Sequence, residues 1–169
     1  QDPRNFFAQF AVDPARLYDT YPEWQLDADA KRDFVATRNG AIAGRLLAEK
    51  YGWKVDDTIP LNMFIWRKRD GGNAWVWKLV GIFDGRDEQW QKRTSIMYLN
   101  FAHFDESRVA GAAGLAGVFV VRLSDPGAVD TVAARIDAQF ANSPDETKTQ
   151  SEQEFQIGFL RQIGDIAFI

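Results

Sequence analysis

The stretch from Gly40 to Gly85 constrains the fold more than any other part of the chain. It predicts a short strand at Ala41–Ala43 that runs directly into a helix over Arg45–Tyr51. Gly52 then follows at the place where a left-handed residue ends a helix.

Two apolar runs follow, Thr58–Trp66 and Ala74–Phe83, separated by a polar turn at residues 68–73, and this pattern predicts a β-hairpin. In the first strand one face carries Ile59, Leu61, Met63 and Ile65. In the second strand one face carries Trp75, Trp77, Leu79 and Phe83, and the other carries Val76, Val80 and Ile82. Apolar residues on both faces predict a central strand that is covered on both sides.

Composition narrows the class of protein. The 169 residues suit one domain with room for two lobes, and a hydrophobic fraction of 46% suits a packed core. The net charge is −4 without a long basic cluster, which weighs against binding to nucleic acid or to an anionic membrane surface. The sequence contains no cysteine, which excludes thiolate chemistry, cysteine-ligated zinc and disulfides.

The first half predicts further short elements around this hairpin. They are a strand at Asn5–Val12, a short helix over Pro14–Tyr18, a helix from Ala28 to about Thr37, a strand at Ser95–Leu99 and a helix around Phe104–Val109. Asp27 is placed to cap the second of these helices, which would turn Phe34 and Val35 inward.

The second half begins after a small-residue linker at Gly111–Gly117 and predicts a strand at Val118–Leu123. Asp125 and Pro126 then begin a helix. The apolar stripe of that helix is Val129, Val132, Ala133, Ile136 and Phe140. Glu146–Gln150 alternates like an edge strand. A capping box, Thr149 with Glu152 or Ser151 with Glu154, would start a final helix lined by Phe155, Phe159, Ile163 and Ile166.

Residues that carry chemistry are scarce. His103 is the only histidine, and a lone histidine is more often a satisfied structural group than a ligand or a base. Acidic clusters at residues 56–57 and 84–88 are read as surface solvation. The pattern therefore predicts no catalytic, cofactor-binding or metal-binding residue. Three aromatic residues near loop tips, Phe64, Trp66 and Trp90, are the candidates for contact with a partner.

The ends predict a piece of a longer chain. The sequence opens with Gln1 without an apolar signal segment, and residues 163–169 turn apolar. The apolar end is read either as the edge of a membrane helix or as a last turn packed on the core.

The segment Gly40–Gly85, the start DPRNFFAQFAVDP and the tail FANSPDETKTQSEQEFQIGFLRQIGDI together resemble MacB-like permeases of bacterial ABC transporters. The resemblance implies an α+β fold with two lobes and mixed sheets. Residues 12–109 would form an inserted lobe of the Sabre kind. Residues 1–11 and 117–159 would form a partial, porter-like β-α-β lobe that lacks its N-terminal part, and residues 160–169 would begin a transmembrane helix.

The chain departs from the family pattern at two places. Asp56 stands where the family commonly has glycine, and aspartate tolerates a left-handed turn better than most residues. The family also has a further strand and helix before the position of Gln1. We expect their absence to leave an open sheet edge with which another copy can pair, a hypothesis that a clean monomer in solution scattering would contradict.

The function that the resemblance implies is mechanical, and the chain would not be an enzyme. A permease dimer and a cytoplasmic ABC ATPase would move this domain on the periplasmic face of the bacterial inner membrane, as in efflux or lipoprotein release. A periplasmic adaptor or partner protein would be a further contact, and no cofactor is implied. Two alternatives stay open, a periplasmic ligand- or carbohydrate-binding module and a hydrolase with an Asp/Glu pair.

Overall fold

The computed structural model describes residues 7–63 and 65–158. The strands are β1 (Ala8–Val12), β2 (Trp24–Gln25), β3 (Gly40–Gly44), β4 (Thr58–Asn62), β5 (Ala74–Gly85) and β6 (Ile96–Asn100). The helices are α1 (Leu17–Thr20), α2 (Ala28–Ala36), α3 (Arg45–Tyr51), α4 (Glu88–Gln91), α5 (Phe101–Ser107) and α6 (Val129–Phe140). Short 3-10 turns lie at Ala110–Ala112 and Pro126–Ala128, and residues 152–158 are also helical. The predicted α+β class with a mixed sheet is confirmed.

The six described strands form one sheet in the order β1-β6-β3-β5-β2, with β4 also paired to β5. The pairs β1/β6 and β3/β5 are parallel, and the pairs β3/β6, β4/β5 and β2/β5 are antiparallel. All five residues of β3 are buried, because this strand has a neighbour on each side and a hydrophobic cluster on each face.

Successive residues of β3 separate the core into two clusters. Ala41 and Ala43 belong to one cluster and Ile42 to the other, as expected for a strand whose side chains alternate between faces. The first, named here the Trp77 cluster, contains Ala41, Ala43, Leu47, Ala48, Ile59, Leu61, Met63, Trp75, Trp77, Leu79, Met97, Leu99 and Phe104. The second, the Phe34 cluster, contains Leu17, Trp24, Phe34, Ile42, Val80, Phe83 and Tyr98.

A register shift between Ala41 and Ile42 inserts one extra residue of β5 against β3. Such a bulge reverses the alternation of faces beyond it. Phe83 therefore lies in the Phe34 cluster, and Ile82 packs against the Trp77 cluster, which corrects the predicted faces. Before the bulge Val76 is 51% exposed, so β5 is covered on both faces only in its second half.

The predicted segment from Gly40 to Gly85 is largely confirmed. Helix α3 has the predicted bounds, and Gly52 is left-handed with φ 68°. Asp56 adopts φ 75°, so the left-handed turn expected at this aspartate forms. The hairpin forms, but β4 ends at Asn62, four residues before the predicted end. Ile65 is consequently exposed rather than on the buried face.

The N-terminal elements differ from prediction in detail. Strand β1 pairs in parallel with β6, so Ala8–Val12 belong to the same sheet as β3 to β6. The assignment of residues 1–11 to a second, porter-like lobe stays a prediction. Helix α1 begins three residues later than predicted.

Helices α2 and α5 both form, but the inward face of α2 and the start of α5 differ from the prediction. The Asp27 side chain accepts a hydrogen bond from the Ala30 N–H at 2.8 Å, which confirms the predicted cap of α2. Phe34 is buried, but Val35 is exposed, because adjacent residues of a helix point about 100° apart. Helix α5 begins at Phe101, earlier than predicted, because Asn100 caps it by accepting from the Ala102 N–H.

The chain divides into two compact units, and the second begins at Val121. In this region Asp125 accepts a hydrogen bond from the Gly127 N–H at 2.8 Å, and Ser151 with Glu154 forms the capping box of the next helix. No residue of α6 is buried. The names given to the two lobes stay predictions.

Two predicted strands of the second half are wrong. Residues 118–123 and 146–150 both lack strand structure. A strand needs a neighbouring strand for its backbone hydrogen bonds, and in the described part of the chain neither range is paired with one. Phe159, Ile163 and Ile166, with the whole proposed transmembrane start at 160–169, lie outside the described residues.

Candidate interaction surface

The three aromatic residues predicted to contact a partner do not form one surface in the structure. Phe64 lies outside the described residues. Trp66 packs on Phe104 of the Trp77 cluster, whereas Trp90 packs against the Phe34 cluster. The described residues therefore contain two separate candidate contact sites, one at Trp66 and one at Trp90.

Trp90 is half-buried and held from several sides. Its ring meets Trp24 edge to face at 4.9 Å between centroids, and the Arg93 guanidinium lies 4.9 Å from the ring centroid. The backbone N–H of Trp90 donates to Asp87 Oδ1 at 3.0 Å, and this hydrogen bond caps α4. These contacts account for Trp90 as the residue that fixes α4 to the core, and contact with a partner stays a prediction.

Trp66 is 41% exposed. One edge of its ring faces Phe104 at 5.5 Å, and the Arg108 guanidinium lies 5.5 Å from its centroid. Its carbonyl oxygen accepts a hydrogen bond from Trp75 Nε1 at 3.1 Å. Trp66 is thus anchored on one side and open to solvent on the other.

The residues around Trp66 carry a surface that the sequence analysis did not single out. Ile65 is 83% exposed, and the next three residues after Trp66 are Arg67, Lys68 and Arg69. Lys68 Nζ lies 3.4 Å from Asp70. The sequence signal for this surface is three consecutive cations after an aromatic residue, two of which fall in the predicted turn at residues 68–73. We name residues 65–69 the tip segment.

Arg108 is the buried charge beneath this surface. Its side chain is 3% exposed and donates from Nε to Asp105 Oδ1 at 3.0 Å. The guanidinium also lies within 5.1 to 5.7 Å of the ring centroids of Phe104, Trp66 and Phe101. The hydrogen bonds from Arg108 are the main cause of the lowered pKa of Asp105. Sequence reasoning gave no sign that this arginine would be buried.

His103 faces Trp77 edge to face at 5.3 Å. Burial is the main cause that lowers its pKa, and the charge of Arg38 lowers it further. Its Nδ1 is buried without a hydrogen-bond partner among the described residues, so the expectation of a satisfied structural histidine is wrong for this atom. A cavity of about 350 Å³ beside it is lined by Arg38, Asn39, Lys68, Ala74, Trp75, Val76, His103 and Ser107.

The acidic residues of the sequence analysis have local partners. Asp84 accepts hydrogen bonds from Arg45 at 3.0 and 2.8 Å, and these bonds are the main cause that lowers its pKa. Asp56 pairs with Lys78 at 3.0 Å, and Asp57 accepts from the Lys54 N–H. Within residues 7–63 and 65–158, no three His, Cys, Asp or Glu side chains are grouped so that they could hold a metal ion.

Compared with protein-family models and with curated proteins, the chain has no significant match. Among the helices of the described residues, none has both the length and the apolar character that a membrane crossing requires. The resemblance to MacB-like permeases is therefore a proposal and rests on the sequence motifs alone.

Proposed function

We propose that the chain is the extracytoplasmic domain of a MacB-like ABC transporter permease, which passes the movement of membrane helices to a substrate or partner outside the membrane. The observation that carries the proposal is the order of elements from β3 to β5. A strand, a helix ended by left-handed Gly52, a strand and a second, long strand follow one another as in the insert of that family.

The mechanical part of the proposal rests on how firmly the unit through Val120 is built. An element that passes on force must deform little, and close-packed interiors have low compressibility. Strand β3 is buried along its whole length between β5 and β6. Arg45 and Asp84 join the start of α3 to the end of β5 through two hydrogen bonds. A displacement applied to one element of this unit would therefore move the others with it.

The proposed partners are a second permease copy and a cytoplasmic ABC ATPase, with the domain on the periplasmic face of the inner membrane. The material handled would be a lipid, a lipoprotein, a peptide or a small molecule, or a partner protein. The proposal assigns no catalytic or cofactor-binding residue.

The test uses the absence of cysteine from this sequence. Lys92→Cys, at an exposed position after α4, introduces one thiol that can be labelled in the parent polypeptide. We expect a membrane-impermeant maleimide to label it in spheroplasts without lysis, and an ABC ATPase to co-purify with the parent protein. The parent without the introduced cysteine is the control. Labelling that requires lysis, or purification without an ATPase, would overturn the proposal.

A further inference from the structure

The tip segment exposes two large apolar side chains to solvent. Ile65 is 83% exposed and Trp66 is 41% exposed, although Met63, two residues before Ile65, is buried. Exposed apolar side chains grouped together mark interaction sites more often than isolated ones do.

The same segment carries a local positive charge within an acidic chain. Arg67, Lys68 and Arg69 give the tip segment three positive charges. With the adjacent Asp70 included, the net charge of residues 65–70 is +2, against −4 for the whole sequence. Lys68 is paired with Asp70, whereas neither Arg67 nor Arg69 has a carboxylate within ion-pair distance among the described residues. Arg67 Nη1 donates to the Gly71 carbonyl at 3.4 Å, and Arg69 Nε donates to the Arg108 carbonyl at 3.3 Å. Both side chains are exposed, and the other N–H groups of each guanidinium can contact anions from outside.

Backbone hydrogen bonds hold the tip segment in place. The Lys68 N–H donates to the Gly72 carbonyl at 2.8 Å, and the Arg69 N–H donates to the Ser107 carbonyl at 2.9 Å. The Val109 N–H donates to the Arg67 carbonyl at 3.1 Å. Because the backbone is already ordered, little conformational entropy remains to be lost when the tip segment binds.

We propose that the tip segment docks on an anionic phospholipid surface. Ile65 and the open side of Trp66 would enter the interface, and Arg67 and Arg69 would contact lipid phosphates. Tryptophan favours the membrane interface, and basic residues gain energy near anionic lipid. A projecting isoleucine needs a matching pocket on a protein, whereas a fluid lipid surface receives it without one. The sequence analysis found no long basic cluster, but here a short one lies beside exposed apolar side chains.

The test is co-sedimentation of the 169-residue chain with phosphatidylcholine vesicles, with and without phosphatidylglycerol. We expect binding to the vesicles that contain phosphatidylglycerol, and a loss of that binding in high salt. The double variant Arg67→Gln/Arg69→Gln should weaken binding by roughly fivefold for each charge removed. Ile65→Ser should weaken it by roughly tenfold, since its side chain then has little apolar area to bury.

Matched controls come from the same chain. Phe119→Ser removes a side chain that is 82% exposed, and Arg135→Gln removes an exposed arginine in α6. Both should bind as the unchanged chain does, and circular dichroism should show that all four variants are folded.

Equal binding to both vesicle types, no binding to either, or a loss of binding in the controls as large as in the tip variants would overturn the proposal. Binding to polyglutamate but not to vesicles would overturn it in favour of an acidic protein partner. The vesicle assay uses this chain alone, so its result is independent of the parent protein and of the proposed function.

Discussion

The region through Val120 and the region from Val121 carry similar apolar patterns but bury them differently. All residues of the two hydrophobic clusters lie between Leu17 and Phe104. Helix α6 has the cleanest apolar stripe in the sequence, yet none of its residues is buried. An amphipathic pattern therefore predicts a helix, but burial also requires a second surface to cover the stripe.

The later region is held by local hydrogen bonds instead. The Asp137 carboxylate accepts from the Thr147 hydroxyl at 2.8 Å, and from the Thr149 N–H at 2.9 Å and hydroxyl at 2.7 Å. The Ser151 and Glu154 capping box adds bonds at 2.9 and 3.3 Å. Exposed local bonds of this kind stabilise less than a buried core does, so we expect the two regions to differ in their free energies of unfolding.

The largest effect should come from Trp77→Ala in β5. Trp77 is fully buried, and its Nε1 has no hydrogen-bond partner among the described residues, so the variant loses packing and creates a cavity. We expect the free energy of unfolding to fall by about 3–5 kcal/mol in urea denaturation. Val76→Ala, one residue away on the exposed side, is the control and should cost about 0.5 kcal/mol or less. Equal losses would contradict the finding that β5 buries Trp77 on one face and exposes Val76 on the other.

A somewhat smaller loss should follow from Gly44→Ala, at the corner between β3 and α3. A Cβ there would lie 2.1 Å from the carbonyl oxygen of Thr94. That oxygen accepts a hydrogen bond from the Leu47 N–H, so moving it also disturbs the start of α3. We expect a loss of about 2–3 kcal/mol by thermal or urea unfolding.

The control for this glycine is Gly111→Ala, where no atom lies within 4 Å of the added carbon. It should leave the free energy of unfolding unchanged within about 0.5 kcal/mol. A comparable loss in both variants would mean that contact with Thr94 does not decide the outcome.

Asp84→Asn should show a pH-dependent effect. Hydrogen bonds from Arg45 are the main cause that lowers the folded-state pKa of Asp84, and a bond from Gln91 adds to it. The stabilisation is therefore fully present above the unfolded value of about 4 and is lost as pH falls through the folded value. Since the pair is more than one third exposed, we expect a loss of about 0.5–1 kcal/mol at pH 7 that shrinks as the pH is lowered into the acid range.

The control for Asp84 is Asp33→Asn, an exposed residue of α2 whose side chain has no partner within the described residues. At pH 7 its unfolding curve should match that of the unchanged chain. A loss for Asp84→Asn that persists undiminished in acid would show that the ion pair with Arg45 is not its source.

The smallest effect should come from Ile136→Ala in the stripe of α6. This side chain is only half-buried, so little apolar contact is lost, and we expect a change of about 0.5 kcal/mol. The same substitution at Ile42, which is fully buried in β3, should cost about 2–5 kcal/mol. Chemical denaturation followed by circular dichroism measures both. A loss at Ile136 as large as at Ile42 would mean that the stripe is covered and that the two regions are built alike.

Sequence reasoning singled out Trp66 of the candidate surface but not Ile65, Arg67 or Arg69, which would contact the membrane beside it. The exposure of Ile65 could not be predicted, because it depends on where β4 stops pairing with β5. Among the described residues Arg67 and Arg69 bond to backbone carbonyls and to no carboxylate, and this depends on which groups the fold brings near them. Arg108 looked like any surface cation, and only the convergence of three aromatic rings and Asp105 shows that it is buried.

The sequence by itself determined the features that depend on neighbouring residues in the chain. The bounds of α3, the left-handed Gly52, the cap at Asp27 and the box at Ser151 follow from short-range sterics and hydrogen bonds. The tertiary structure decided everything that needs a distant partner. Residues 118–123 have strong strand character but gain no strand, and the bulge opposite Ala41 changes which cluster Phe83 joins, because pairing and burial are settled between segments and not within one.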